Sequence, residues 1–391
     1  MVPALILMSR TLSEFEAQIQ PLIRDTTGGT VTTNDIRDSL NRCISHMIKD
    51  HGIYATKDQS ILDVFTGVYE YPTPSDFFDI INLQRQDSPR EYLRVKPEDF
   101  WTNFNNYSEV ISVDTYRDDH AILFKSTDTS TVQEINDCDS LTANGTWAAE
   151  ASTDAANVTL EETNMTEGVG AISFDVTVGA SVNNYAAVQN STMTQVDLTD
   201  FANKGTVFLD LYIPSVTALS SITLRWGNDS SYYYSSTVTT QFNGYAFRVG
   251  VNTLGFAWSG ATETGSVTDT TIDYLNVRVT YTASYTSQTG FILDNIRVVN
   301  PFRMSLRYYS TAFVLDGSTS GYVTKFTNTT DSSLLDDADD DILLYYALAD
   351  AYWIKELAND RVEALRLHQE ALDRLKTRYN SEKKREVTFY R

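Results

Sequence analysis

The sequence is poor in the residues on which much protein chemistry depends. Of 391 residues only two are cysteine and four histidine. Cys43 and Cys138 lie far apart in stretches of different character, so no disulfide framework is expected. Zinc-ligand spacing, a Walker loop, a GxSxG elbow and a dinucleotide fingerprint are all missing, which removes the commonest metal- and nucleotide-dependent activities. Basic residues are outnumbered 30 to 52 by acidic ones, giving a formal charge of −22. A surface that grips DNA needs clustered cations to displace counterions, so none is expected. An acidic wall would instead let a duplex slide past. The apolar run Met1 to Met8 is short, has no basic stretch before it and is soon followed by Arg10. It fits neither a secretory signal nor a membrane span, and synthesis in a cytoplasm is the expectation.

What is present suffices for real cores: 42% of residues are apolar, and 23 tyrosines lead the aromatics. The length suggests two or three domains. Composition changes abruptly twice, dividing the chain into residues 1–132, 133–300 and 301–391. The middle segment is dense in Thr, Ser, Asn and Gly, with 17 acidic and 5 basic residues between Gln133 and Asn300. Its alternations Val207/Leu209/Leu211/Ile213, Ile222/Leu224/Trp226 and Leu275/Val277/Val279/Tyr281 predict an antiparallel sandwich.

Helical patterns fall in the flanks. Leu12, Phe15, Ile19, Leu22 and Ile23 share one helix face, interrupted by Pro21. Thr33 or Asn34 caps a helix with Ile36, Leu40, Ile44, Met47 and Ile48 on its apolar side. Near the end, one helix is expected to bury Leu343, Tyr346, Ala347, Ala351, Ile354 and Leu357. A second, antiparallel to it, is expected to bury Val362, Leu365, His368, Leu372, Leu375 and Tyr379.

In order along the flanks, Tyr71-Pro72-Thr73-Pro74-Ser75-Asp76-Phe77, Tyr92 to Phe100, Leu306-Arg307-Tyr308-Tyr309 and Leu343 to Ala349 resemble the head-to-tail connector (adaptor) proteins of tailed bacteriophages. The middle segment, through Asp137-Cys138-Asp139, Gly205 to Pro214 and Phe291 to Ile296, resembles the jelly roll of carbohydrate-binding modules. Together these imply an α+β multidomain fold: a helical connector body with small β elements, split by an inserted all-β antiparallel sandwich at 133–300. The resemblance implies a non-enzymatic virion protein of the phage neck, made in the bacterial cytoplasm. It would form a ring, twelvefold by analogy, between the portal and the tail or nozzle proteins, with DNA passing unbound. A rival is a carbohydrate-binding adhesin or tail-associated receptor-binding protein with a host surface glycan as partner. A glycan-cleaving enzyme is a third, requiring two carboxyl groups within about 5 Å for a retaining mechanism.

Candidate residues each have a plainer alternative. Trp226, Tyr232, Tyr234 and Trp258 offer rings for stacking on a sugar, or packing for a core. Asp139 and Asp294 could hold a structural Ca²⁺, as the resemblance implies, but two aspartates supply too few oxygens and equally suit turns. No other cofactor is expected. Asp336, Asp337, Asp339 and Asp340 would line a ring's channel, or simply favour the dipole of the helix that follows. Lys383, Lys384, Arg385, Phe389, Tyr390 and Arg391 read as a docking arm for the portal or a neighbouring subunit, or as a solvated terminus.

Overall fold

The computed structural model describes residues 10–25, 29–53, 56–85, 92–102, 109–114, 121–126, 129–179, 184–282, 285–319, 321–335 and 337–387. Twenty-two strands and five α-helices lie among them. Among the described residues more lie in strands than in helices. This corrects the expectation of a helical body carrying small β elements and one β insertion, because the flanks themselves are rich in strand. The physical reason is periodicity. Strand β19 (Phe302–Ser310) buries Met304, Leu306, Tyr308 and Ser310, a two-residue repeat. Strands β5 (Val110–Asp114) and β6 (Ala121–Lys125) are buried on both faces.

The chain folds into two compact units, Met1–Ser60 with Pro74–Asn82 and Leu306–Arg391, and Ile61–Thr73 with Leu83–Ser305. Strands β1 (Thr56–Val64), β3 (Phe77–Arg85) and β19 form one sheet of order β1-β19-β3.

In the first unit, helix α1 (Leu12–Leu22) starts with a capping box between Thr11 and Glu14 and buries Leu12, Phe15 and Ile19. It ends one residue past Pro21, which lacks the N–H for an i→i−4 bond. Helix α2 (Thr33–His51) is capped by Thr32 with Asp35, one residue earlier than the sequence suggested, and stops at Gly52 in the left-handed region (φ +59°). Helices α4 (Asp337–Ile354) and α5 (Ala358–Val387) complete a core with Ile36, Leu40, Ile44, Ile342, Leu343, Ala347, Leu372 and Leu375. A small sheet of β20 (Val314–Leu315), β21 (Tyr322–Val323) and β22 (Ser332–Ser333) has the order β21-β20-β22.

The second unit contains a sheet of β2 (Glu70–Pro72), β6, β5 and β4 (Leu93–Arg94), with helix α3 (Pro97–Thr102). Its bulk is a jelly-roll-like sandwich. One sheet runs β15 (Gly250–Ala257), β12 (Thr206–Ile213), β18 (Gln288–Val299), β10 (Ala171–Val176), β9 (Ala155–Glu161), with β7 (Val132–Asn136) also on β18. The other runs β16 (Thr262–Thr264), β14 (Tyr233–Val238), β13 (Leu219–Gly227), β17 (Tyr274–Tyr281), β11 (Tyr185–Asn190), β8 (Trp147–Ala149). Every pairing in both sheets is antiparallel. The three alternations read in the sequence face inward and make one core. Burying each such side chain contributes about 1.5–3 kcal/mol.

Candidate functional site

Two of the four aromatic residues expected to stack on sugar are core residues. Trp226 is wholly buried and Trp258 nearly so. Their indoles meet edge to face at 5.4 Å, and the ring of Tyr234 lies 5.8 and 5.1 Å from them. Trp226 points inward because it keeps the phase of Ile222 and Leu224. The Tyr234 hydroxyl donates to Asp269 at 3.0 Å, and burial, reinforced by that carboxylate, pushes its phenol up to about 12. Only Tyr232 of the four is open, at 46% exposure, with its ring against Gly265.

Asp139 and Asp294 serve a loop. Asp139 Oδ1 accepts from the backbone of Val169 and Gly170 at 2.7 and 2.8 Å. Asp294 Oδ2 accepts from Thr166 N, Thr166 Oγ1 and Glu167 N at 2.6, 2.8 and 3.0 Å. Burial, with the charges of Asp139, Glu134, Asp294 and Asp137, holds the Glu167 carboxyl above its usual range. Asp139 Oδ1 and Asp294 Oδ2 are thus occupied by N–H and O–H donors, while Asp294 Oδ1 is buried and makes no hydrogen bond. Among the described residues no three acidic, histidine or cysteine side chains are grouped to hold a metal.

Of the acidic run, Asp339 and Asp340 do not present the expected channel face. Asp339 and Asp340 are buried. Asp340 accepts from Arg10 N at 2.9 Å, Asp339 pairs with Arg378, and Asp341 with Arg10. They tie the start of α4 to other parts of the first unit, where desolvated carboxylates require partners. Asp336 lies outside the described residues, as does the side chain of Asp337. Lys383, Lys384 and Arg385 continue α5, but their side chains are outside the described residues, and so are Phe389, Tyr390 and Arg391 entirely. His368 is half-buried, its Nδ1 donates to the Ile342 carbonyl at 3.0 Å, and burial lowers its pKa.

The most developed polar surface is one the sequence did not single out. On the second sheet of the sandwich, residues in antiphase with the core face outward. Register places Ser235, Arg225, Asn276 and Gln189 side by side across β14, β13, β17 and β11, with Asn276 buried and the other three half-buried. Tyrosine rings flank this row. Arg225 lies 4.6 Å over Tyr233, and Arg278 lies 3.8 Å over Tyr185. Between Tyr233 and Tyr274 in the register stands Gly227, where a Cβ would fall 2.5 Å from Tyr233 Cα, so the backbone closes up and the rings come within 6.5 Å. Glu150 accepts from Asn276 Nδ2 at 3.2 Å and Arg278 at 3.3 Å. Burial raises the Tyr274 pKa, and the Glu150 charge adds to it. Asn276 Oδ1, Arg225 Nε and Arg278 Nε are shielded from solvent and make no hydrogen bond. Leaving such a group unpaired costs about 1–3 kcal/mol.

In the first unit, the tip of the α4–α5 hairpin forms an apolar groove. Ile354, Leu357, Val362 and Leu365, expected to be buried, are 39%, 38%, 68% and 40% exposed, and Trp353 is 65% exposed. Arg361 lies 4.2 Å over the Trp353 ring. The helical stripe is correct in phase but outruns its partners. Inward contacts begin only at Ala364 and continue through Ala371, Leu372 and Leu375.

No protein-family model matches the sequence, and no curated protein matches it. Solved structures show a low similarity to the chain. A family 30 carbohydrate-binding module is 8% identical, with 44% of this chain and 99% of that one covered and a TM-score of 0.31. A carbohydrate-binding module of the β-sandwich superfamily gives 13% identity, 61% and 96% coverage and a TM-score of 0.30. SGBP-B, from a xyloglucan utilization locus of Bacteroides uniformis, gives 12%, 62%, 73% and 0.32. An exo-β-agarase matches at 11% identity and a TM-score of 0.31 over 44% of this chain, which spans only a quarter (25%) of the agarase. At these values no residue role transfers, and the fold is read from strand register alone.

Proposed function

We propose that the second unit is a non-catalytic glycan-binding module and that it binds on the outer face of the sheet containing Arg225, Asn276 and Gln189. The observation that carries this reading is the row of planar polar side chains flanked by tyrosine rings. Sugars present hydroxyls in the ring plane and an apolar face perpendicular to it, so amides and guanidinium groups beside aromatic rings match both. Asn276 is buried within the row, so the contact groups are the half-buried Arg225, Gln189 and Ser235. Affinity electrophoresis of the full chain in gels of plant, bacterial-capsule and cell-wall polysaccharides tests it. Retardation by at least one polymer, relieved by a Tyr185→Ala/Tyr233→Ala double variant, is expected. Migration indifferent to every polymer would refute it.

The hairpin groove favours a second property, association with another copy of this chain. A cluster of five exposed apolar side chains on one helical tip is more than scattered surface residues usually provide. In the wider proposal such contacts build a ring in the neck of a phage virion, touching portal and tail proteins. Negative-stain images of the purified chain would show rings of one symmetry, and a monomer at all concentrations would end that proposal.

A further inference from the structure

A cavity of about 200 Å³ opens in the second unit, lined by Gly67 to Glu70, Trp101, the loop between β14 and β15, and strand β15. Its floor is fixed by aromatic packing. Phe242 meets Phe65 at 5.6 Å, Tyr71 at 5.9 Å and Phe208 at 4.9 Å. One wall is Trp101, in the last turn of α3, 48% exposed and set edge-on against Phe100. The polar lining is Glu70, Gln241, Asn243 and Arg248. Asn243 Nδ2 donates to Glu70 Oε2 at 2.7 Å, Gln241 Nε2 to the Ala246 carbonyl at 2.7 Å, and Arg248 Nε to the Val251 carbonyl at 3.4 Å. Each bond orients a planar group and leaves it further hydrogen-bonding capacity, since a guanidinium has five donors and a carboxylate about four acceptor positions.

We infer that this cavity is a second glycan site, separate from the sheet face, which seats a single neutral pyranose-sized unit with its apolar side on Trp101. Three features select that ligand. The volume falls below the roughly 300–1,000 Å³ typical of sites for larger ligands, so one ring fits and a chain does not. Glu70 and Arg248 cancel in charge, so neither an anionic nor a cationic sugar gains. Carboxylate, amide and guanidinium groups converge beside an accessible indole, which supplies both donors and acceptors to vicinal hydroxyls and a stacking surface.

The site uses none of the outer-face residues, so the two readings fail separately. Full-length protein titrated with glucose, galactose, mannose, N-acetylglucosamine, glucuronate and glucosamine, followed by calorimetry, tests it. Saturable binding of at least one neutral sugar is expected, weakened at least about tenfold in Trp101→Ala and largely kept in Trp101→Phe. Arg248→Gln gives an independent loss should Trp101→Ala fail to fold. No change with Tyr185→Ala/Tyr233→Ala is expected. Preference for a charged sugar, absence of saturable binding, or full affinity in both Trp101→Ala and Arg248→Gln overturns the cavity. Loss through the tyrosine pair alone overturns it too, while leaving the sheet-face reading intact.

Discussion

The indoles of Trp226 and Trp258 meet edge to face at 5.4 Å inside the sandwich, which makes them structural residues. Trp226→Ala should therefore destabilise the second unit by about 3–5 kcal/mol, the range for deleting a large buried ring. Tyr232→Ala, at a surface position, should stay within about 0.5 kcal/mol. Urea unfolding followed by circular dichroism separates them. Equal, small effects would place Trp226 outside the core.

Asp25 predicts an acid response in the first unit. Its carboxylate accepts from the backbone of Val31, Thr30 and Gly29, and Lys355 Nζ lies 3.3 Å away. Those bonds, led by Val31 and Thr30, lower its pKa to about 2 from 3.8. A depressed carboxylate stabilises the fold above the unfolded value, and that contribution is lost as pH falls through about 4 to about 2. Asp25→Asn should melt below wild type at pH 7, with the gap closing by pH 2. A gap that stays constant with pH would show that charge at this position is irrelevant.

The sandwich was legible because its strands alternate with period two, and Val207, Leu209, Leu211 and Ile213 do face one core. The sheet-face row was not legible. Gln189, Arg225 and Asn276 are separated by dozens of residues, and only register makes them neighbours. An aromatic search favours tryptophan, yet Trp226 and Trp258 were the residues most worth burying. Likewise the spacing of Val362 and Leu365 identifies a helix face but not where the facing helix ends.

Asp294 should act without metal. Asp294→Ala leaves Thr166 N and Glu167 N without their acceptor, so a loss of about 1–3 kcal/mol is expected. Added Ca²⁺ or a chelator should leave the wild-type melting temperature where it is. A calcium-dependent rise, abolished in Asp294→Ala, would instead establish the metal site that the resemblance suggested.

Self-association through the hairpin groove makes a prediction that folding does not confound. Val362 is 68% exposed and Trp353 65%, so charging either side chain removes little intramolecular packing. It does place an ion in any dry contact between copies, where desolvation costs several kcal/mol unless a partner compensates. Val362→Glu and Trp353→Glu should thus keep the wild-type melting temperature while shifting sedimentation towards the monomer. Because Arg361 lies over the Trp353 ring, Arg361→Glu would test whether that cation belongs to the same contact. Assemblies that persist in all three variants would exclude the groove as the contact between copies.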